Sequence, residues 1–192
     1  LACVVFSQLN TEGQALALPV YLLDDAGALE NAAWRVLVRA YGADLGEIKR
    51  QSYEGTGSVG PVRNLGAFEL TASQNRAAPL LTVAEVFKNG ALAQRTFYWT
   101  NYEARQGCLF DLPRTALALE TVAGGVARVV NTGSVAAVGV LLKCPGAEDR
   151  FTTSDGFFWL DPGEAREVRV SHMENLTAEA LNVPGSPLRN SP

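Results

Sequence analysis

The chain has 192 residues, 47% hydrophobic and 19% charged, and its net charge of −4 is spread over mixed Asp, Glu and Arg with no block of like sign. Such a composition supports a packed core and excludes the polar, charge-unbalanced profile of disorder. It offers neither the basic patch that nucleic acid requires nor the basic cluster that an anionic membrane attracts, so both are excluded as partners. No apolar run approaches the roughly 20 residues of a membrane span.

The opening Leu1-Ala2-Cys3-Val4-Val5-Phe6 has no basic region or small-residue cleavage site of the kind that marks a signal peptide. It reads as the inside of a strand, as an excised fragment would. Three cysteines, Cys3, Cys108 and Cys144, are too few and too scattered for a disulfide framework or a paired zinc knuckle. They read as buried free thiols, with a Cys108–Cys144 bridge as the alternative. Unpaired cysteines and the lack of a visible signal peptide favour a cytoplasmic location.

Strand signals then dominate in chain order. Strands are expected at residues 2–7, 15–24, 47–53 and 66–71, with Asp24-Asp25-Ala26-Gly27 as a turn in which a side-chain acceptor meets a permissive glycine. That turn lacks the alternating ligands and closing Glu of a calcium loop. Trp34, Val36, Val38 and Ala40 alternate with Arg35, Leu37 and Arg39, which predicts a strand with one apolar face. Gly55, Gly57 and Gly60 read as a loop, since no Walker lysine and no helix follow to make a phosphate cradle. Residues 80–87 and 91–99 flank Asn89-Gly90, the residue pair that favours a primed hairpin turn.

A polar stretch, residues 102–107, then interrupts the pattern, and strands resume at 115–121, 125–131 and 135–143. The last of these is apolar almost throughout, as in a strand buried on both faces. A short aromatic strand, Phe157-Phe158-Trp159-Leu160, leads through the Pro162-Gly163 turn into the alternating run at residues 165–170. The Pro-, Gly- and Ser-rich residues 184–192 read as a tail. The expected architecture is all-β: two tandem immunoglobulin-like antiparallel β-sandwiches, residues 1–105 and 106–183, followed by the tail.

Catalytic chemistry is sparse. His172 is the only histidine and has no nucleophile motif beside it, so it reads as a surface residue at a strand end. With Glu174 it leaves a transition-metal site short of ligands. Glu85 shares a strand face with Val83 and Phe87 and reads either as an edge-strand charge or as the partner of Arg95 across the Asn89-Gly90 hairpin. No catalytic residue, metal ligand or cofactor is assigned. Trp34, Trp99 and Trp159 are the candidates for stacking on a pyranose, although each lies in an apolar run where a large ring fills a core. Asn175-Leu176-Thr177 fits the N-glycosylation pattern.

The segment Ser154-Asp155-Gly156-Phe157-Phe158-Trp159-Leu160-Asp161-Pro162-Gly163-Glu164-Ala165-Arg166-Glu167-Val168-Arg169-Val170 resembles the SDNYF-x-L-x-PGE-x-R-x-V-x-V ending of the C-terminal immunoglobulin-like domain in β-mannosidase-like glycoside hydrolases of family 2. Val129-Val130-Asn131-Thr132-Gly133 is similar to that domain's V-x-N-T-G strand and turn. Gly156 stands where the family has Asn, and Trp159 adds a ring. In these enzymes a TIM barrel with two catalytic glutamates precedes the tail domains. The resemblance therefore implies a non-catalytic accessory region whose partner is an upstream catalytic barrel of the same polypeptide, with a β-linked oligosaccharide as candidate ligand. Neither catalytic glutamate maps onto these residues. The alternative is a self-contained carbohydrate-binding or adhesive module.

Overall fold

A computed structural model describes residues 2–5, 12–101, 103, 107–147 and 149–183, with the backbone alone for 2–5. Strands and turns make up nearly all of it, with a 3-10 turn at Gln74–Arg76. The chain divides into two compact units, Leu1–Cys108 and Leu109–Pro192. Part of the polar stretch at 102–107 and the whole tail at 184–192 lie outside the described residues.

The first unit packs two antiparallel sheets. Strands β1 (Ala2–Val5), β2 (Leu16–Asp24) and β5 (Val62–Leu70) form one, in the order β1-β2-β5. Strands β3 (Ala33–Tyr41), β4 (Glu47–Thr56), β6 (Leu80–Lys88) and β7 (Ala91–Thr100) form the other, in the order β4-β3-β6-β7. Alternation along β2 and β3 sends Leu18, Val20 and Leu22 to meet Trp34, Val36 and Val38 in one core, together with Phe68 and Val86. Period-2 patterning thus builds the sandwich.

Turn chemistry sets the register. The Asp24 carboxylate accepts the N–H groups of Ala28 at 2.6 Å and Leu29 at 2.8 Å, and Gly27 takes φ +66°, so the expected acidic turn forms. Asn89 and Gly90 take φ 49° and 83°, the left-handed pair that a primed hairpin requires, and Lys88 faces Ala91 across it. One expectation fails here. Gly55 belongs to β4 and not to a loop, because its cross-strand neighbour Trp34 lays its ring where a side chain would stand: a Cβ at Gly55 would lie 2.3 Å from Trp34 Cζ2. Strand β5 also begins earlier than predicted, at Val62.

The edges of β4 and β5 are joined by side chains. Lys49 Nζ donates to the Glu69 carbonyl, and Gln51 Nε2 donates to the Ala67 carbonyl at 3.2 Å and to the Tyr53 hydroxyl at 2.8 Å. These bonds occupy carbonyls on an open strand edge that would otherwise invite another chain.

The second unit is a three-on-three sandwich. One sheet runs β8 (Leu117–Val122), β9 (Val126–Asn131), β12 (Ala165–Arg169), with β9 central. The other runs β11 (Phe158–Leu160), β10 (Ala137–Lys143), β13 (Thr177–Glu179), with β10 central. β10 is buried over most of its length, as its apolar composition predicts. The short β13 was not visible as a strand signal. Gly139 takes φ +65° at a register shift in β10, and the Phe157 ring lies over it, 2.8 Å from where a Cβ would be.

Buried amides hold this unit together. Asn131, fully buried, accepts from Thr115 Oγ1 at 2.7 Å and from the Gly133 N–H at 3.1 Å, and donates to the carbonyls of Val135, Leu160 and Asp161 at 2.8, 3.1 and 3.2 Å. Asn182, also fully buried, accepts from the Val138 N–H at 3.0 Å and donates to the carbonyls of Pro113 and Ala136 at 2.9 and 2.8 Å.

Two outcomes test this account. Replacing Asn131 by Ala strands the buried carbonyls it serves, so the second unit should lose about 3 kcal/mol or more, whereas exposed Thr132→Ala should cost less than about 1 kcal/mol. Denaturant titration with amide exchange read at β9 and β10 measures both. In the first unit the Tyr53 phenol is held above its ordinary value of 10.0, chiefly by burial and secondarily by Glu69. Its folded-state value is raised, so the stability it confers is complete below the unfolded value and is lost as pH rises through the folded one. An ultraviolet tyrosinate titration should show a late-ionising component that Tyr53→Phe removes.

Candidate functional site

The three tryptophans occupy different environments. Trp34 is 4% exposed, in the core of the first unit, with the Arg63 guanidinium 5.7 Å above its ring and the Gly55 backbone beneath. Trp159 is 1% exposed and donates its indole N–H to Asp161 Oδ1 at 2.8 Å, which satisfies its only polar group. Trp99 is half-buried on β7, opposite Leu81, with its ring centroid 5.9 Å from that of Phe97. Trp34 and Trp99 belong to the first unit and Trp159 to the second.

Glu85 sits on β6, between β3 and β7, so it is not an edge-strand charge. The second expectation for it holds. It faces Arg95 in register, and its Oε1 accepts from Arg95 Nε at 2.9 Å and Nη2 at 2.6 Å. Its Oε2 lies 3.0 Å from Arg39 Nη2. All three side chains are nearly buried, with side-chain exposures of 4% for Glu85, 6% for Arg95 and 11% for Arg39. Both carboxylate oxygens are therefore committed to guanidinium groups, which suits a structural ion-pair network rather than a group that must pass a proton to a substrate.

His172 lies in the second unit beside a cleft of about 520 Å³ that is also lined by Cys144, Arg150 and Glu174. Its Nδ1 is 3.0 Å from Ser171 Oγ, but that hydroxyl already accepts the Thr152 N–H at 2.9 Å and contacts the Arg150 carbonyl at 3.2 Å. The serine thus fastens two loops. Cys144 is a buried free thiol whose Sγ contacts the Glu174 carbonyl at 3.1 Å. Cys108 is also buried and takes part in no disulfide, so the bridge held as an alternative does not form. Cys3 lies in a strand whose side chains are outside the described residues. Among the described residues no cluster of His, Cys, Asp and Glu has the makings of a metal site. Asn175, in the sequon, is exposed in a left-handed turn just before β13.

Sequence reasoning passed over another grouping. Glu54, Arg35 and Phe87 come from β4, β3 and β6 and stand in one cross-strand row on the face of the sheet opposite Trp34 and Val36. They line an open groove of about 480 Å³ at the end of the first unit where the Asn89-Gly90 turn closes. Arg35 places its guanidinium 4.3 Å from the Phe87 ring centroid. The alternation around Trp34 already put Arg35 on the outward face. Only the pairing register places Glu54 and Phe87 on either side of it.

Residues 112–183, within the second unit, match the family model of the mannosidase Ig-fold domain, the resemblance its N-T-G and PGE segments carry. No curated protein matches the chain. Among solved structures, the exo-chitosanase of Amycolatopsis orientalis in complex with PNP-β-D-glucosamine superposes with a TM-score of 0.71 at 15% identity, over 95% of this chain and 25% of that one. The β-D-mannosidase of Dictyoglomus thermophilum superposes with a TM-score of 0.61 at 13% identity, over 95% of this chain and 22% of that one. At these identities the likeness is one of fold, and it extends through both units. The chain spans about a quarter of the length of these enzymes.

If Glu85 is structural, Glu85→Gln leaves two nearly buried guanidinium groups without their counter-charge and should destabilise the first unit by about 3–5 kcal/mol. Thermal melting of the variant measures this. A variant that melts with the parent would free Glu85 for another role.

Proposed function

We propose that this chain is the non-catalytic C-terminal accessory region of a β-mannosidase-like family 2 glycosidase, whose catalytic TIM barrel lies upstream in the same polypeptide. The observation that carries the reading is the match of residues 112–183 to the mannosidase Ig-fold domain. The superposition of both units on a minor part of two β-glycosidases supports it. In this reading the parent hydrolyses β-glycosidic bonds with retention through two barrel glutamates, and the tandem sandwiches act as a scaffold against the barrel. The chemistry of the two units suits that role. Their buried polar groups tie strands to one another, and the most enclosed carboxylate, Glu85, is locked between two arginines.

Reading the open frame upstream of Leu1 is the direct test: a barrel domain with paired glutamates is the expected outcome, and a stop codon or an unrelated surface domain would overturn the proposal. The isolated chain should not turn over aryl β-mannosides, β-glucosides or β-glucosaminides. Turnover that survives repurification and disappears in Glu85→Gln or Glu164→Gln would equally overturn it.

A further inference from the structure

Among the described residues several charged side chains that meet across strands pair with each other: Glu85 with Arg39 and Arg95, Glu120 with Arg128, Lys143 with Glu179. Arg35 and Glu54 break this pattern. They are directly opposed in register on β3 and β4, yet they form no ion pair, because the Arg35 guanidinium is drawn over Phe87 on the other side. Neither has a hydrogen-bond or ionic partner among the described residues. A fork of five N–H donors and a carboxylate with several acceptor sites therefore face one groove of about 480 Å³, both unsatisfied by protein.

We infer that this groove binds a neutral, hydroxyl-rich sugar ring within a β-linked oligosaccharide. The charge pattern selects among ligands. An anion drawn to Arg35 would meet the Glu54 carboxylate, and a cation drawn to Glu54 would meet the guanidinium, whereas adjacent sugar hydroxyls both donate to a carboxylate and accept from a guanidinium. Phe87, with Arg35 over its ring, lines the same groove and adds apolar carbon beside the two charged groups. The volume lies in the range of about 300–1,000 Å³ usual for small-ligand clefts. Strand β4 is the edge of its sheet, so the groove is open at the side and a linear chain can continue past it. The three side chains stand on paired strands, and stacking on Phe87 holds Arg35 in place before any ligand arrives.

The inference rests on the glycosidase reading for the choice of β-linked sugars, and its test is separable from that reading. Nitrogen–proton NMR spectra of the intact chain are recorded against β-1,4-mannotriose and cellotriose, with the cationic glucosamine trimer and a sulfated trisaccharide as charged comparisons. A neutral trimer should shift the amides of residues 33–35, 54–56 and 87–90. Arg35→Met and Glu54→Gln should each weaken that binding about tenfold with the melting temperature unchanged. Absence of shifts with either neutral trimer up to about 20 mM, a preference for a charged trimer, or undiminished binding in both variants overturns the groove as a sugar site. Such a failure leaves the accessory-region proposal to the upstream reading frame. Conversely, sugar binding by a chain with no barrel upstream would keep the groove and discard the scaffold.

Discussion

The second sandwich depends on one buried amide, Asn131. Its carboxamide draws together the segment that leads into β8, the turn after β9 and the end of β11, through Thr115, Val135 and Leu160. Close approach makes this possible. Gly133 is what lets Thr115 in, since a Cβ there would lie 2.2 Å from Thr115 Oγ1. The backbone of Asn131 takes part as well: its N–H donates to the Glu164 carbonyl at 2.9 Å and its carbonyl accepts the Gly163 N–H at 2.9 Å. The N-T-G turn and the PGE turn are thus two halves of one polar hub. A satisfied network of this kind specifies a single arrangement, because any slip of register strands several buried groups at once. Asn182 repeats the device between the start of this unit and β10.

The first unit secures its sheets differently. Asp24 caps the turn that follows β2, and Asn75, fully buried, donates to the Gln14 carbonyl at 2.9 Å while its own oxygens accept from Asn101 at 3.0 and 3.1 Å. Across the four-stranded sheet the tie is ionic, with Glu85 between Arg39 and Arg95. An ion pair taken out of water gains little net stability over a hydrophobic replacement, but removing one member is costly. What such a triad contributes is therefore a fixed register of β3, β6 and β7, and that register also places Arg35 opposite Phe87.

The parts of this fold legible in the sequence are those governed by local rules. Alternation around Trp34 gives an inward face, Asn89-Gly90 gives a hairpin, and the continuous apolar run at 135–143 gives a buried strand, all as observed. The N-T-G and PGE segments carry a resemblance that the family-model match over residues 112–183 shares. What eluded sequence reasoning depended on contacts between distant residues. Gly55 reads as a loop glycine until the Trp34 ring is seen to fill its side-chain space, and β13 is too short to have a period. Asn131 reads as a turn residue because its burial is a property of the three segments that converge on it.

The two acidic residues Glu85 and Glu54 show how one residue type acquires different tasks on one sheet face. Both have an arginine opposite them across a strand pair: Arg95 for Glu85 and Arg35 for Glu54. On the central strand β6, Glu85 is enclosed, and in a low-dielectric setting its charge must be matched by protein, which it is twice over. On the edge strand β4, Glu54 is exposed, water can satisfy it, and its arginine is free to gain more by stacking on Phe87 than by a screened surface pair. Enclosure thus consumes the first carboxylate in holding the fold. Exposure leaves the second available, and only a group that neither the core nor its neighbour has claimed can take up a ligand.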